Sequence, residues 1–195
     1  MSENNENKEI VNQISESAVL RTRIMSSILF PSLLVVADQL SKSMIVKEIN
    51  YLGEKQIIDG FFSFFHTRNT GSAWSFLADK SWGIHVLTGV SIVMSIFIAF
   101  IMIKAIIKGH GQFTVILGML LGGAVGNLVD RLRLGYVVDF LKFKFGDHVF
   151  PIFNLADIFC TVSVFLLIFM FIFKSETVDV FLNDIFPKKD KEESK

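Results

Sequence analysis

Four stretches of the chain are almost continuously apolar, and the charged residues gather between and outside them. They run at about 24–46, 84–107, 113–132 and 155–173. Each is near the roughly 20 residues a helix needs to cross a hydrocarbon core. The pattern predicts a membrane all-α protein, a bundle of four transmembrane helices. Residues 1–23 read as a polar N-terminal tail and 174–195 as a polar C-terminal tail with a short amphipathic stretch. The N-terminal tail does not read as a signal peptide, because the apolar run after it has no small-residue cleavage site. Four spans put both termini on one side. Charge does not orient the bundle: Arg21, Arg23, Lys104, Lys108 and Lys174 flank the terminal side, and Lys47, Lys55, Arg68, Lys80, Arg133, Lys142 and Lys144 the other.

Between the first two spans the pattern shifts. "KQIIDGFFSFFHTRN" carries β-branched and aromatic runs on both sides of Asp59-Gly60, a hairpin signal. It predicts a small β element at about 48–76, at the membrane surface. The connection after the third span, "RLGYVVDFLKFKFGDHVFPIFN", mixes aromatics with charges and breaks at Pro151. It reads as a segment on the same side, lying partly in the interface. Within the third span Gly118, Gly122 and Gly126 recur in steps of four, a face on which two membrane helices can approach closely.

Composition narrows the class. Of 195 residues 51% are hydrophobic, and 21 are Phe. Mean hydropathy is +0.52, more apolar than an ordinary soluble domain. The 19 basic and 19 acidic residues cancel, and no basic stripe marks a nucleic-acid surface. Cys160 is the single cysteine, so it makes no intrachain disulfide and no cysteine zinc site, and reads as a small lipid-facing or packed hydrophobe. No His-Glu-x-x-His pair, Gly-x-Ser-x-Gly elbow or Gly-x-Gly-Asp motif occurs.

Chemistry is concentrated in polar groups at costly positions. Asp38 and Lys42, four apart in the first span, share a helix face and can pair, either as a snorkelling helix-end ion pair or as part of a site. Asn127, Asp130 and Arg131 in "GNLVDR" project together at the end of the third span. Asp130 and Arg131 there read either as a structural pair or as site residues. Asn154 is a candidate N-cap for the fourth span, which puts Asp157 near the third helical position, where the helix dipole favours an anion. Asp139, in "YVVDF", stands among apolar neighbours. Each acid has a bland reading: an interfacial loop acid for Asp139, a helix-start acid for Asp157. If the two converge, both cannot cheaply ionise, and they share a proton near neutral pH. One can then deprotonate water while the other polarises a carbonyl, an aspartic-protease arrangement that needs no metal and no cofactor.

"DQLSK", "NTGSAWSFL", "GNLVDR", "VVDF" and "NLAD" stand in the order found in the bacterial lipoprotein signal peptidase (signal peptidase II) family, and residues 24–173 resemble that family. The resemblance implies a four-helix inner-membrane aspartic endopeptidase with a small periplasmic β-cradle between helices 1 and 2. It also implies that both termini are cytoplasmic and that the active site faces the periplasm, or the outer surface in a cell with one membrane. Its substrate is a diacylglyceryl-prolipoprotein, cut just before the lipid-bearing cysteine. By resemblance the catalytic pair is Asp139 and Asp157. Asp38, Lys42, Asn69, Gly71, Asn127, Asp130, Arg131, Asn154 and Ala156 support the site or bind substrate. The family is the target of globomycin-type cyclic peptides. The expected partners are substrate and membrane lipid, with no nucleic acid, and the chain is expected to act as a monomer. Trp74 stands where the family usually has Phe, and Ser72 where it often has Ala.

Two rivals predict other behaviour. A proton-coupled carrier would use the same intramembrane acids as a relay, although four spans without an internal repeat make a poor carrier core. A packing or scaffold protein would tolerate Asn at both acids.

Overall fold

The structure, a computed structural model, describes residues 2–71 and 82–187, with side chains from residue 16 onward. Part of the predicted β element (72–76), with Ser72 and Trp74, lies outside the described residues.

Each apolar run is a helix. These are α1 (Ser2–Glu48), α2 (Gly83–Lys108), α3 (Gly111–Leu134) and α4 (Leu155–Phe173). Among the described residues these four are long and apolar enough to cross a membrane. α1 differs from expectation at its start: it runs back through most of the segment read as a tail. Residues 2–30 contain no Gly or Pro, so no strong breaker stops the helix. α2 and α3 end where Gly109 (φ 82°) and Gly135 (φ 74°) adopt the left-handed conformation that closes a helix.

α3 is the central helix. Gly118 and Gly122 face Phe30, Pro31 and Leu34 of α1, while Gly123 faces Ala156 and Cys160 of α4. Residues on the outer faces, such as Met25, Phe165 and Phe173, remain exposed. That is the expected arrangement for helices whose solvent is lipid and whose backbone is satisfied internally.

The β region is larger than predicted. β1 (Glu54–Ile58) and β2 (Phe62–Asn69) form the expected hairpin, with Gly60 at φ 67° in its turn. The segment after α3, read as a connection, supplies β3 (Val137–Phe145) and β4 (His148–Val149). The four strands form one antiparallel sheet in the order β1-β2-β3-β4, so half of the cradle comes from beyond α3. β3 alternates weakly because both of its faces are covered: Val137 to Leu141 are all buried. Phe140 and Leu141, with Phe62, Phe64, Phe143 and Phe153, pack on Ile45 of α1, on Ile49 just beyond it, and on Leu155 and Ile158 of α4. This small core pins β3 against two helix ends.

At the other end of the bundle, the amphipathic stretch forms α5 (Ser175–Ile185). Its Val178, Phe181 and Ile185 pack into a core from α2, α3 and α4, with the Phe113 and Phe181 rings stacked at 3.8 Å. Lys104 Nζ donates to the Ile185 carbonyl at 2.8 Å, and His110 Nε2 meets Asp184 Oδ2 at 2.9 Å.

Candidate active site

The last two turns of α3, the first turn of α4 and the start of β3 meet beside Asp38 of α1. Glycine makes this possible. A Cβ on Gly123 would lie 2.5 Å from the Ala156 carbonyl oxygen and 2.6 Å from Cys160 Sγ. One on Gly126 would lie 2.8 Å from Asp38 Oδ2. The absence of two side chains sets how close α4 and Asp38 come to α3.

Beneath the site is a buried ionic base. Lys42 Nζ lies 2.8 Å from Asp38 Oδ2 and 3.0 Å from Asp130 Oδ2, with exposures of 3%, 0% and 3% for the three side chains. The pair of Asp38 and Lys42 is therefore no snorkelling helix-end contact. Asp130 turns to Lys42 rather than forming the expected pair with Arg131, because the α1–α3 contact brings a cation to its carboxylate. Burial of two carboxylates around one ammonium is tolerable only with further donors, and these are present. The Ala156 N–H donates to Asp38 Oδ1 at 3.0 Å, and the Val138 N–H to Asp130 Oδ2 at 3.0 Å. Gln39 Nε2 reaches Asp130 Oδ1 at 2.9 Å and Asp38 Oδ2 at 3.2 Å. The base thus ties α1, α3, β3 and α4 together.

Lys42 also donates to Asn127 Oδ1 at 2.9 Å, which orients that amide so that Asn127 Nδ2 donates to Asp157 Oδ1 at 2.8 Å. Asn154 caps α4 as predicted. Its Oδ1 accepts from the Asp157 N–H at 3.0 Å, while Asp157 Oδ2 accepts from the Asn154 N–H at 3.1 Å, a reciprocal capping box. Asn154 Nδ2 reaches Asp139 Oδ1 at 2.7 Å and Asn127 Oδ1 at 3.0 Å. On the other side Asn69 Nδ2 donates to Asp139 Oδ2 at 2.9 Å, and the Gly71 N–H holds Asn69 Oδ1 at 2.9 Å. Every residue singled out in the sequence is in this network or, for Arg131, beside it.

Asp139 and Asp157 line one open cavity of about 440 Å³ with Asn69, Asn127, Arg131 and Cys160; Phe150, Pro151, Ile152 and Phe153 form one wall. The acids are inequivalent. Asp139 is buried on β3, and its burial, reinforced by the nearby Asp157 charge, pushes its pKa up to about 7 despite the Asn69 and Asn154 donors. Asp157 is only partly buried, at a helix N-terminus, with two N–H donors. Arg131 feels the charges of Asp157 and Asp139, and its buried Nε has no hydrogen-bond partner among the described residues. No three His, Cys, Asp or Glu side chains among the described residues are grouped to share a metal ion. The arrangement opens two inequivalent carboxyl groups to a single cavity, that of Asp139 with a pKa raised to about 7.

Gln39 is the network residue that sequence reasoning passed over. A carboxamide inside an apolar span was itself a signal, since lipid offers it no partner.

Known proteins similar to this chain include a matched family, curated relatives and solved structures. A family model described as signal peptidase (SPase) II matches residues 31–173. A lipoprotein signal peptidase of Cupriavidus taiwanensis is 41% identical over 140 residues, covering 71% of this chain and 78% of that protein. One from Enterococcus faecalis is 42% identical over 148 residues, covering 76% and 88%. Two solved structures, each described as a bacterial membrane enzyme, superpose with TM-scores of 0.64 and 0.63 at 29% and 30% identity. They cover 88% and 76% of this chain and 96% and 93% of theirs.

Proposed function

The chain belongs to the signal peptidase II family, and from that premise we propose that it is an aspartic endopeptidase that removes the signal peptide of prolipoproteins by hydrolysing the bond before a diacylglyceryl-modified cysteine. The observation that carries the reading is the inequivalent pair of Asp139 and Asp157 in one cavity, each acid held by asparagine amides.

Asp157 takes a proton from a water molecule in the cavity as its oxygen attacks the scissile carbonyl carbon. Asp139 gives its proton to the carbonyl oxygen, so the tetrahedral intermediate forms as a neutral gem-diol rather than a free oxyanion. Collapse breaks the C–N bond: Asp157 passes its proton to the leaving amine, and Asp139 recovers one from the diol. The pair is then back in its starting state. Asn69, Asn127 and Asn154 hold both carboxyl groups in place, and Arg131 faces the peptide at the cavity edge.

The cavity lies at the sheet end of the bundle. We place that end at the periplasmic face of a bacterial inner membrane, with both termini cytoplasmic and the chain acting as a monomer. Acyl chains of the substrate lie in the bilayer against the bundle, where each buried methylene contributes ~0.8 kcal/mol before ordering costs. Globomycin-type peptides would occupy the same cavity.

The test is cleavage of a prolipoprotein with and without its diacylglyceryl group by purified protein in nanodiscs. Cutting only the lipidated form, at the bond before cysteine, is expected. Equal cutting of both forms, or none of either, would exclude this substrate assignment.

A further inference from the structure

A second cavity, of about 220 Å³, opens at the far end of α3 from the dyad. Its lining joins α1 to the α2–α3 turn: Arg23 and Phe30, Ile106, then Gly109, Gly111 and Val115. Gly111 begins α3 and Asn127 and Arg131 stand in its last turns. At 1.5 Å per residue the two cavities are about 25–30 Å apart, close to a bilayer's hydrocarbon thickness. This cavity therefore opens at the opposite membrane face and takes no part in the proposed cleavage.

Its walls are graded. Phe30, Ile106 and Val115 make the part along the helices apolar, and Arg23 stands at the helix-end rim. Arg23 is the one charged side chain among the described lining residues and forms no ion pair among them. Glu16 lines an adjoining hollow with Arg23 but is not in salt-bridge contact with it. The hydroxyls of Ser26 and Ser27 each donate to the Arg23 carbonyl, at 3.0 and 2.6 Å. Arg23 Nη1 lies 2.9 Å from where a Cβ on Gly109 would be, so the left-handed glycine of the turn is also what leaves room for the guanidinium. Beside Gly111 a Cβ would meet nothing within 4 Å.

We propose that this cavity seats one anionic phospholipid of the facing leaflet, its phosphodiester on Arg23 and the start of an acyl chain along Phe30, Ile106 and Val115. A single unpaired guanidinium above an apolar slot complements a ligand with one anionic head and a hydrocarbon tail. The positively charged n-region of a signal peptide has the wrong sign for this rim. The seated lipid bridges α1 to the α2–α3 turn and stabilises the folded chain by linkage.

The experiment uses the full chain, delipidated in neutral detergent, with phosphatidylglycerol or phosphatidylcholine of matched acyl chains. Native mass spectrometry reads lipid retention and a thermal melt reads stabilisation. Wild type is expected to retain phosphatidylglycerol about fivefold better than phosphatidylcholine, the weight of one basic residue at a lipid surface. Arg23→Gln should erase that preference, and Gly111→Leu should reduce retention of both lipids by filling the slot. Inorganic phosphate alone should not raise the melt. Both variants should still cut prolipoprotein, which separates a lost lipid seat from a lost fold. Equal retention of the two lipids by wild type, a preference that survives Arg23→Gln, full retention by Gly111→Leu, or phosphate stabilising as well as the lipid would each overturn the proposal.

Discussion

The side-chain amides of Asn127 and Asn154 are hydrogen-bonded to each other at 3.0 Å, and each holds a different carboxylate: Asn127 donates to Asp157 and Asn154 to Asp139. The two acids are therefore joined through a chain of two amides. Because Asn127 is oriented in turn by Lys42, the buried ionic base beneath the site sets the attitude of both acids above it.

Replacing either acid by Asn keeps its shape and removes the acid–base role proposed for it. Asp139→Asn and Asp157→Asn should each lower kcat by about 10³-fold or more, with substrate binding and thermal stability retained. Activity of either variant near the wild-type rate in a prolipoprotein cleavage assay would rule out the dyad.

The pH dependence follows from Asp139. Its pKa stands at about 7 against an ordinary 3.8, so the folded chain keeps a proton that the unfolded carboxyl has released. This group's contribution to stability therefore falls as pH rises from about 4 to 7. In the proposed mechanism the same deprotonation removes the proton donor to the carbonyl, so kcat/KM should decline above about pH 7 and form a bell with the acid limb of the pair. Asn69→Ala removes a donor to the Asp139 carboxylate, which favours the protonated form and should move the alkaline limb upward. A limb that moves downward, or a flat profile with chemistry rate-limiting, would contradict this assignment.

Lys42→Met leaves Asp38 and Asp130 buried without their cation. Breaking a buried ionic cluster in this way costs about 3–5 kcal/mol, which should appear as a large drop in Tm. Adding Asp38→Asn and Asp130→Asn to Lys42→Met should recover part of that loss, because the uncompensated charges are then gone. No recovery in the triple variant would mean that packing, not charge, carries the cost.

Gly123→Ala pushes a methyl group into the Ala156 carbonyl and Cys160. It should cost about 1–3 kcal/mol and lower kcat, since the first turn of α4 carries Asp157. Gly89→Ala, where nothing lies within 4 Å, is the control: it should be neutral or stabilise by up to about 1 kcal/mol. Equal melting of the two variants would remove the role given to close α3–α4 contact.

Much of this protein is determined by sequence alone. Four apolar runs of bilayer length have one satisfactory state in lipid, because every backbone group must pair within its own helix. The Asp59-Gly60 hairpin and the Asn154 cap are local, set by φ preferences and by hydrogen bonds reaching only three residues along the chain. Tertiary structure decided the rest. β3 was hidden because both its faces are covered, which removes the alternation that marks a half-exposed strand. Asp130 reads as a partner for its neighbour Arg131 until α1 brings Lys42, 88 positions away along the chain, to within 3.0 Å. The meeting of Asp139 and Asp157 in one cavity depends on two glycines of α3 that admit α4 and Asp38. Local rules supply spans, turns and caps; which costly polar groups come to share a cavity or a counter-charge is settled only when helices pack.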